Sequence, residues 1–364
     1  MTRPMLNIQP GIMDIAPYIG GESRAKSDQR VIKLSSNEGA LGPSPKAMEA
    51  VRQMAGEIHR YPDGDCRELR EALATRENIP AEQIICGSGS DEIISLLCQS
   101  YAGPGDEIIY TDHGFLMYPI SAKANGAVPV SVPETDLKAD VDEILKGVTD
   151  KTKIVFLANP NNPTGSYISK DKVRRLRKDL PEDILLVIDS AYCEFVEEQD
   201  YSAGHELIER YGNVVVTRTF SKIYAMGGLR LGWGHCPPDI IDVLNRVRGP
   251  FNVNSVAQAA GIAALEDEEF LARSRAHTSE WRQRTASQLT AMGLTVYPSV
   301  ANFILVEFGS PERAEACRQF LKNRGILVRQ MGAYNLGSCL RISIGLGEEM
   351  ELACAAVKEY LKQA

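Results

Sequence analysis

Ile184-Leu185-Leu186-Val187-Ile188, stopping on Asp189-Ser190-Ala191-Tyr192, decides the fold of this chain. A run that is apolar at every position suits a strand covered on both faces, as in a parallel sheet with helices packed on each side. Further short β-branched runs lie on either side of it: Ile84–Cys86, Glu107–Thr111, Val128–Val132, Lys153–Ala158, Asn213–Thr217 and Leu229–His235. Helices are predicted between them over 91–102, 115–124, 169–179 and 204–211. The alternation predicts an α/β protein whose large domain has a mostly parallel sheet flanked by helices. Beyond Pro237 the texture changes. Helices are expected over 238–248, 255–266 and 268–292, followed by strands Thr295–Tyr297 and Phe303–Phe308. A helix over 311–324, strands over 326–330 and 339–344 and a last helix over 348–362 complete a smaller α+β domain. The expected division is an N-terminal arm, 1–30, a large domain, 31–250, whose first residues are able to pack with the small domain, and a small C-terminal domain, 251–364.

Composition removes several classes of function. The 364 residues are 44% hydrophobic and 24% charged, an ordinary globular balance. Lys and Arg number 40 against 48 Asp and Glu, a formal charge of −8. A nucleic-acid binder would show the opposite sign. No apolar run approaches the roughly 18 residues of a membrane span. The N-terminal stretch carries Pro4, Pro10, Asp14 and Pro17 and lacks a signal peptide's apolar core, so the expected location is cytoplasmic. The eight cysteines are dispersed without a C-x-x-C pair, which fits a reduced intracellular chain. The five histidines show no metal-type spacing, and no metal is expected.

In an open α/β sheet, ligands bind at the carboxyl ends of the strands. Those ends are polar here: Gly87-Ser88-Gly89-Ser90-Asp91-Glu92, Asn159-Pro-Asn-Asn162-Pro-Thr-Gly165, Asp189-Ser-Ala-Tyr192 and Arg218-Thr219-Phe-Ser221-Lys222. Gly87–Glu92 reads as a phosphate site at a helix N-terminus, as a plain tight turn, or as the start of a dinucleotide fingerprint. The last is disfavoured by Glu92 at the third glycine position. Asp189 reads either as a helix cap or exposed strand end, or as an anion that keeps a pyridinium nitrogen protonated. Lys222, flanked by Thr219, Ser221 and Arg230, suits a Schiff-base lysine beside a cofactor phosphate.

Taken together, Asn159–Gly165, Asp189-x-Ala-Tyr192 and Ser221-Lys222-x7-Arg230 resemble the fold type I, pyridoxal 5′-phosphate (PLP)-dependent class I/II aminotransferases. Ala16-Pro-Tyr18, Leu34-Ser-Ser-Asn37-Glu38, Leu41-Gly-Pro-Ser-Pro45, Arg60-Tyr61-Pro62-Asp63, Arg329-Gln-Met331 and Cys339-Leu-Arg341-Ile-Ser-Ile-Gly345 resemble the histidinol-phosphate aminotransferase branch. The resemblance spans about residues 16–364. It implies a PLP transaminase of histidine biosynthesis that interconverts histidinol phosphate and 2-oxoglutarate with imidazole acetol phosphate and glutamate. Lys222, Asp189 and Tyr192 are the implied catalytic residues. Lys222 would bond the cofactor, Asp189 would pair with its ring nitrogen, and Asn162 and Tyr192 would meet its ring oxygen. Ser90, Asp91, Thr219, Ser221 and Arg230 would hold its phosphate and Phe115 would stack on its ring. Tyr61 would reach the cofactor phosphate of a neighbouring subunit, which implies a homodimer with shared sites. Tyr18, Asn37, Arg329 and Arg341 are the implied substrate-binding residues.

Without the resemblance, Arg329 and Arg341 read as strand arginines, Tyr18 as an anchoring aromatic and Phe115 as a core helix residue. Cys193 reads as a buried inert thiol or as an oxidation-sensitive one beside the site. The chain has Asn37-Glu-Gly-Ala-Leu-Gly42 where the family often has Asn-Glu-Asn-Pro-Leu-Gly, Asp189-Ser190 for Asp-Glu, and Arg329-Gln330 for Arg-Pro. These departures leave open which side chain the substrate pocket prefers; the alternatives are an aromatic amino-acid aminotransferase on the same scaffold and, in another reaction class, a PLP-dependent phospho-amino-acid decarboxylase, which shares much of this motif set.

Overall fold

The computed structural model describes residues 8–23 and 30–363; the rest of the expected arm, 1–7 and 24–29, lies outside the described residues, as does 364. Seven strands form the large sheet in the order Ile84–Gly87, Gly232–His235, Val214–Thr219, Leu185–Asp189, Thr152–Ala158, Glu107–Thr111 and Val128–Val132. All neighbours pair in parallel except Gly232–His235, which is antiparallel to both of its partners. That one reversal matters for the site. It keeps the connection 220–231 at the carboxyl edge of the sheet, so Lys222 and Arg230 stay where the parallel strands end.

The strand Leu185–Asp189 divides by its period of two. Leu185 and Val187 pack on one face with Ile85, Phe156 and Val215, whereas Leu186 and Ile188 pack on the other with Val155, Leu157 and Val216. Each such buried aliphatic contributes about 1.5–3 kcal/mol. Asp189 falls on the Val187 face and lies in register with Ala158 and Thr217. The next row is Thr219, Gly232 and Gly87. A Cβ on Gly232 would stand 2.3 Å from the Ser90 backbone nitrogen, so only glycine lets the helix Ser90–Tyr101 start this close to the sheet.

A second sheet holds five strands in the order Ile32–Leu34, Ile326–Gln330, Cys339–Ser343, Phe303–Glu307 and Thr295–Tyr297. The first pair is parallel and the rest are antiparallel. Its core gathers Leu34, Val306, Phe308, Leu321, Leu340 and Val357. Contacts assign two segments at the edges of the expected division. Ile32–Leu34 joins the small sheet, and helix Ser255–Leu265 packs on helices Pro45–Met54 and Arg67–Glu77, in the cluster that holds Tyr192 and Phe220. Small local differences have visible causes. Gly227–Leu229 is a 3-10 turn and Arg230 is left-handed (φ 56°), so the last strand of the large sheet begins at Gly232 rather than at Leu229. The helix expected over 204–211 is the single turn His205–Ile208, and the one expected from 115 begins at Met117. The hairpin Glu134–Thr135/Lys138–Ala139 and helix Val141–Lys146 are further elements. No helix among the described residues is long and apolar enough to cross a membrane.

Candidate active site

Asp189 closes the floor of a cavity of about 330 Å³ at the carboxyl edge of the large sheet. It is 6% exposed. One carboxylate oxygen, Oδ2, accepts the Tyr118 hydroxyl at 2.8 Å. The other, Oδ1, is buried without a hydrogen-bond partner among the described residues. Burial pushes this carboxyl up to about 6, against the Tyr118 bond, which pulls it down. A buried carboxylate oxygen left bare is costly unless a cation or donor meets it. The cap reading of Asp189 is therefore set aside, and a cationic or N–H-bearing ligand is what the floor accepts.

One wall is built for an anion. Gly89 (φ 91°) turns the chain into helix Ser90–Tyr101, whose first residues, Ser90 and Asp91, line the cavity without a side-chain cap on the helix N-terminus. Arg230 comes from the connection 220–231. Its Nη1 donates to Gly227 O at 2.9 Å and its Nη2 lies 3.5 Å from Asp91 Oδ2. A Cβ on Gly89 would stand 2.4 Å from Arg230 Nη2, so the loop holds the guanidinium in a groove that a side chain would fill. Thr219 and Ser221 stand beside them, with the Ser221 N–H donating to Thr219 Oγ1 at 3.1 Å. Glu92 turns back instead, accepting the Ser88 N–H at 2.6 Å and Asn252 Nδ2 at 2.8 Å. It staples the loop and blocks the dinucleotide reading.

Lys222 reaches in from the same connection, its Nζ 5.6 Å from the centre of the Tyr192 ring. The Tyr192 hydroxyl accepts Asn37 Nδ2 at 2.9 Å, which leaves its own proton free to donate. Asn37 is in turn fixed from the small sheet: its N–H donates to Ser343 Oγ at 2.8 Å and its carbonyl accepts Asn302 Nδ2 at 3.0 Å. Opposite them stand two arginines. Arg329 and Arg341 are register partners on adjacent strands. Arg341 is buried, donates to Asn162 Oδ1 and to Ser35 O, keeps Nε without a partner, and has its guanidinium pKa lowered by burial. Arg329 donates to Ile19 O at 2.6 Å and lies over the Tyr18 ring at 5.9 Å, which ties the arm to the mouth of the cavity. Like charges directly opposed on neighbouring strands repel, and an anion between them relieves the repulsion.

Tyr18, Asn37, Ser90, Asp91, Phe115, Asn162, Asp189, Tyr192, Thr219, Ser221, Lys222, Arg230, Arg329 and Arg341 all line this one cavity. Tyr61 does not. It is 84% exposed and stacked on Phe251 with ring centres 4.8 Å apart. Sequence reasoning missed Tyr118, because a tyrosine early in an apolar helix reads as core. It also missed Ser35, whose carbonyl matters rather than its side chain. Cys193 donates its thiol to Glu194 Oε2 at 3.4 Å, and burial pushes that thiol well above its ordinary value, which favours the inert reading. No cluster of metal-type ligands occurs among the described residues.

A bare buried acid on the floor, an anion cradle at one wall and a lysine lining the same cavity fit a phosphorylated pyridine aldehyde, and the cavity is of cofactor size. Residues 29–357 match the family model "Aminotransferase class I and II". The histidinol-phosphate aminotransferase of Paramagnetospirillum magneticum is 58% identical over 363 residues, 99% of each chain. That of Rhodospirillum centenum is 55% identical over the full length of both. The crystal structure of histidinol-phosphate aminotransferase from Sinorhizobium meliloti in complex with pyridoxal-5′-phosphate shares 29% identity and superposes with a TM-score of 0.92, covering 99% of each chain. With this cavity and these relatives, the chain belongs to the class I and II aminotransferases, in the histidinol-phosphate aminotransferase family, and its cofactor is pyridoxal 5′-phosphate.

Proposed function

We propose that this chain moves an amino group between histidinol phosphate and 2-oxoglutarate, giving imidazole acetol phosphate and glutamate, in histidine biosynthesis. One observation carries the reading: the opposed pair Arg329 and Arg341 faces the same cavity as Lys222 and the buried Asp189. The pair suits two anionic substrates, and the lysine suits amine chemistry.

Bound PLP supplies an electron sink that stabilises negative charge at the substrate's reacting carbon. Asp189 would hold its ring nitrogen, Asn162 and Tyr192 its ring oxygen, and Phe115 its ring face. The helix N–H groups of Ser90 and Asp91, with Thr219, Ser221 and Arg230, would hold its phosphate. Lys222 Nζ is the base that takes the proton from the substrate Cα. The Tyr192 hydroxyl, oriented by Asn37, keeps its proton on the cavity side. Arg341 presents a planar fork that binds a carboxylate or a phosphate alike, so one site accepts glutamate and the phosphorylated amine in turn. That double duty gives ping-pong kinetics. Arg329 adds a second charge, and an incoming phosphate competes with Ile19 O for it.

The exposed stack of Tyr61 on Phe251 fits a surface covered by a second copy of the chain. In that homodimer Tyr61 would reach the neighbouring subunit's cofactor phosphate. The charge of −8 supports small-molecule partners rather than nucleic acid, and the eight free cysteines suit the reducing cytoplasm. We keep 31–250 and 251–364 as the two domains, with Ile32–Leu34 and Ser255–Leu265 exchanged across the division.

Replacing Arg329 with Ala tests the assignment. The kcat/KM for histidinol phosphate should fall about tenfold to a hundredfold, as for a lost charged hydrogen bond, and that for aromatic amino acids much less. Equal losses for both would contradict a phosphate-binding role for Arg329.

A further inference from the structure

Tyr118 has no role in the scheme above, yet among the described residues its hydroxyl makes the 2.8 Å hydrogen bond to Asp189 Oδ2, while Oδ1 has no hydrogen-bond partner. It lies in the first turn of helix Met117–Ala124 and is completely buried. Its ring is stacked on Phe156, with centres 4.5 Å apart and planes 3° apart, and meets Phe115 edge-on at 5.9 Å. Phe156 belongs to the strand next to the one that carries Asp189, where it pairs with Val187. The tyrosine is thus clamped between the sheet and the aromatic expected on the cofactor's face, and its hydroxyl has one place to be.

A terminal carboxylate rotates broadly when nothing holds it. With Oδ2 fixed by the Tyr118 hydroxyl at 2.8 Å, the plane of Asp189 is set and Oδ1 is the oxygen left for a ligand. The bond also favours the ionised form of an acid that burial drives toward protonation. We propose that Tyr118 is a positioning residue for the reaction: it orients Asp189 and keeps it ionised, so that Oδ1 meets the cofactor's ring nitrogen and the shared proton stays on that nitrogen. The inference rests on the assignment of Asp189 to the ring nitrogen.

The test is a double-mutant cycle on the full-length chain, stripped of cofactor and titrated with PLP by fluorescence. Tyr118→Phe removes one oxygen and keeps both ring contacts, so folding, checked by circular dichroism, should be retained. On the wild-type background it should weaken PLP binding about tenfold to a hundredfold, the range for a hydrogen bond to a charged group. On an Asp189→Asn background the same change should cost less than about threefold, because the charge it serves is gone. In the loaded Tyr118→Phe enzyme, the pH midpoint of the cofactor's visible absorbance should move in the same direction as in Asp189→Asn, with kcat lowered and the donor KM unchanged. Additive losses in the cycle, or wild-type affinity and midpoint in Tyr118→Phe, would overturn the proposal. Unchanged PLP affinity in Asp189→Asn alone would overturn the assignment of Asp189, and the proposal with it.

Discussion

Asp189 and Arg218 are both buried charges near the carboxyl edge of one sheet, on adjacent strands and opposite faces, and they have opposite fates. Arg218 is 5% exposed and its charge is met by two carboxylates, although its Nε has no hydrogen-bond partner among the described residues. It donates to Glu194 at 2.8 Å and to Glu77 at 3.3 and 3.4 Å, and its guanidinium lies 5.2 Å from the Trp233 ring centre. An arginine only donates, so its 2.9 Å contact makes His205 Nε2 an acceptor. His205 Nδ1–H then donates to His235 Nδ1 at 3.0 Å, and His235 Nε2–H to Gln83 Oε1 at 2.9 Å. The protein completes this chain by itself and holds both imidazoles neutral. Asp189 differs: among the described residues it has no cationic partner, one hydroxyl meets Oδ2, and Oδ1 is bare. A buried charge that the fold itself neutralises is structural. One that the fold leaves without a counter-charge and with a bare oxygen marks where a ligand belongs.

Four substitutions break the contrast. Lys222→Ala on the ligand face should lower turnover by about 10⁴-fold or more, the scale of a lost general base, while the melting temperature of the cofactor-free protein stays near that of the wild type. Substantial turnover in that variant would remove the chemistry from this cavity. Arg218→Ala on the other face should act the opposite way. It strands Glu77 and Glu194 and should cost about 3–5 kcal/mol of stability in a denaturant titration. A loss within about 0.5 kcal/mol would mean that the network does not hold the fold.

The histidine pair gives a pH signature. Burial pushes His235 down to about 4 and His205 well below its ordinary value. The unfolded chain therefore binds protons that the native state refuses. Stability supplied by neutral His235 should disappear as pH falls from about 6.5 to about 4, by roughly 3 kcal/mol for the single group. His235→Gln should flatten that part of the profile, and an unchanged slope would say that the pair titrates freely.

Asp189 has the smallest expected effect, with the opposite sign. Its native value is raised, so without cofactor the native state keeps a proton that the unfolded chain has already released, and the cost of the buried carboxylate is fully present above about pH 6. Asp189→Asn should make the cofactor-free protein more stable at pH 7 by roughly 1–3 kcal/mol, with the gain fading as pH falls through 6 toward 4. A loss of stability at pH 7 would show that the carboxylate is already satisfied by the protein.

Much of this was legible from residue order because local physics wrote it. All-apolar runs such as Leu185–Ile188 announce buried strands, and the polar residues after them announce the site. Strand order was not legible. Nothing local tells Gly232–His235 to insert antiparallel between Ile84–Gly87 and Val214–Thr219, since that depends on the fit of Gly87 and Gly232 against the start of a helix. Nor did Ile32–Leu34 advertise its partner, Ile326–Gln330, far along the chain. In the site, charged and hydroxyl residues at strand ends stood out, while Tyr118 did not. Its ring obeys the core pattern and only its oxygen serves the site, a difference that periodicity does not register.

Lys222, which lines the same cavity as the bare-sided Asp189, is the lysine proposed to bond the cofactor. Borohydride reduction of the PLP-loaded protein, followed by digestion and mass mapping, locates that bond. The pyridoxyl group should appear on the peptide containing Lys222 and disappear from that peptide when the cofactor is withheld. Stoichiometric label on any other lysine, or none after full loading, would contradict the account.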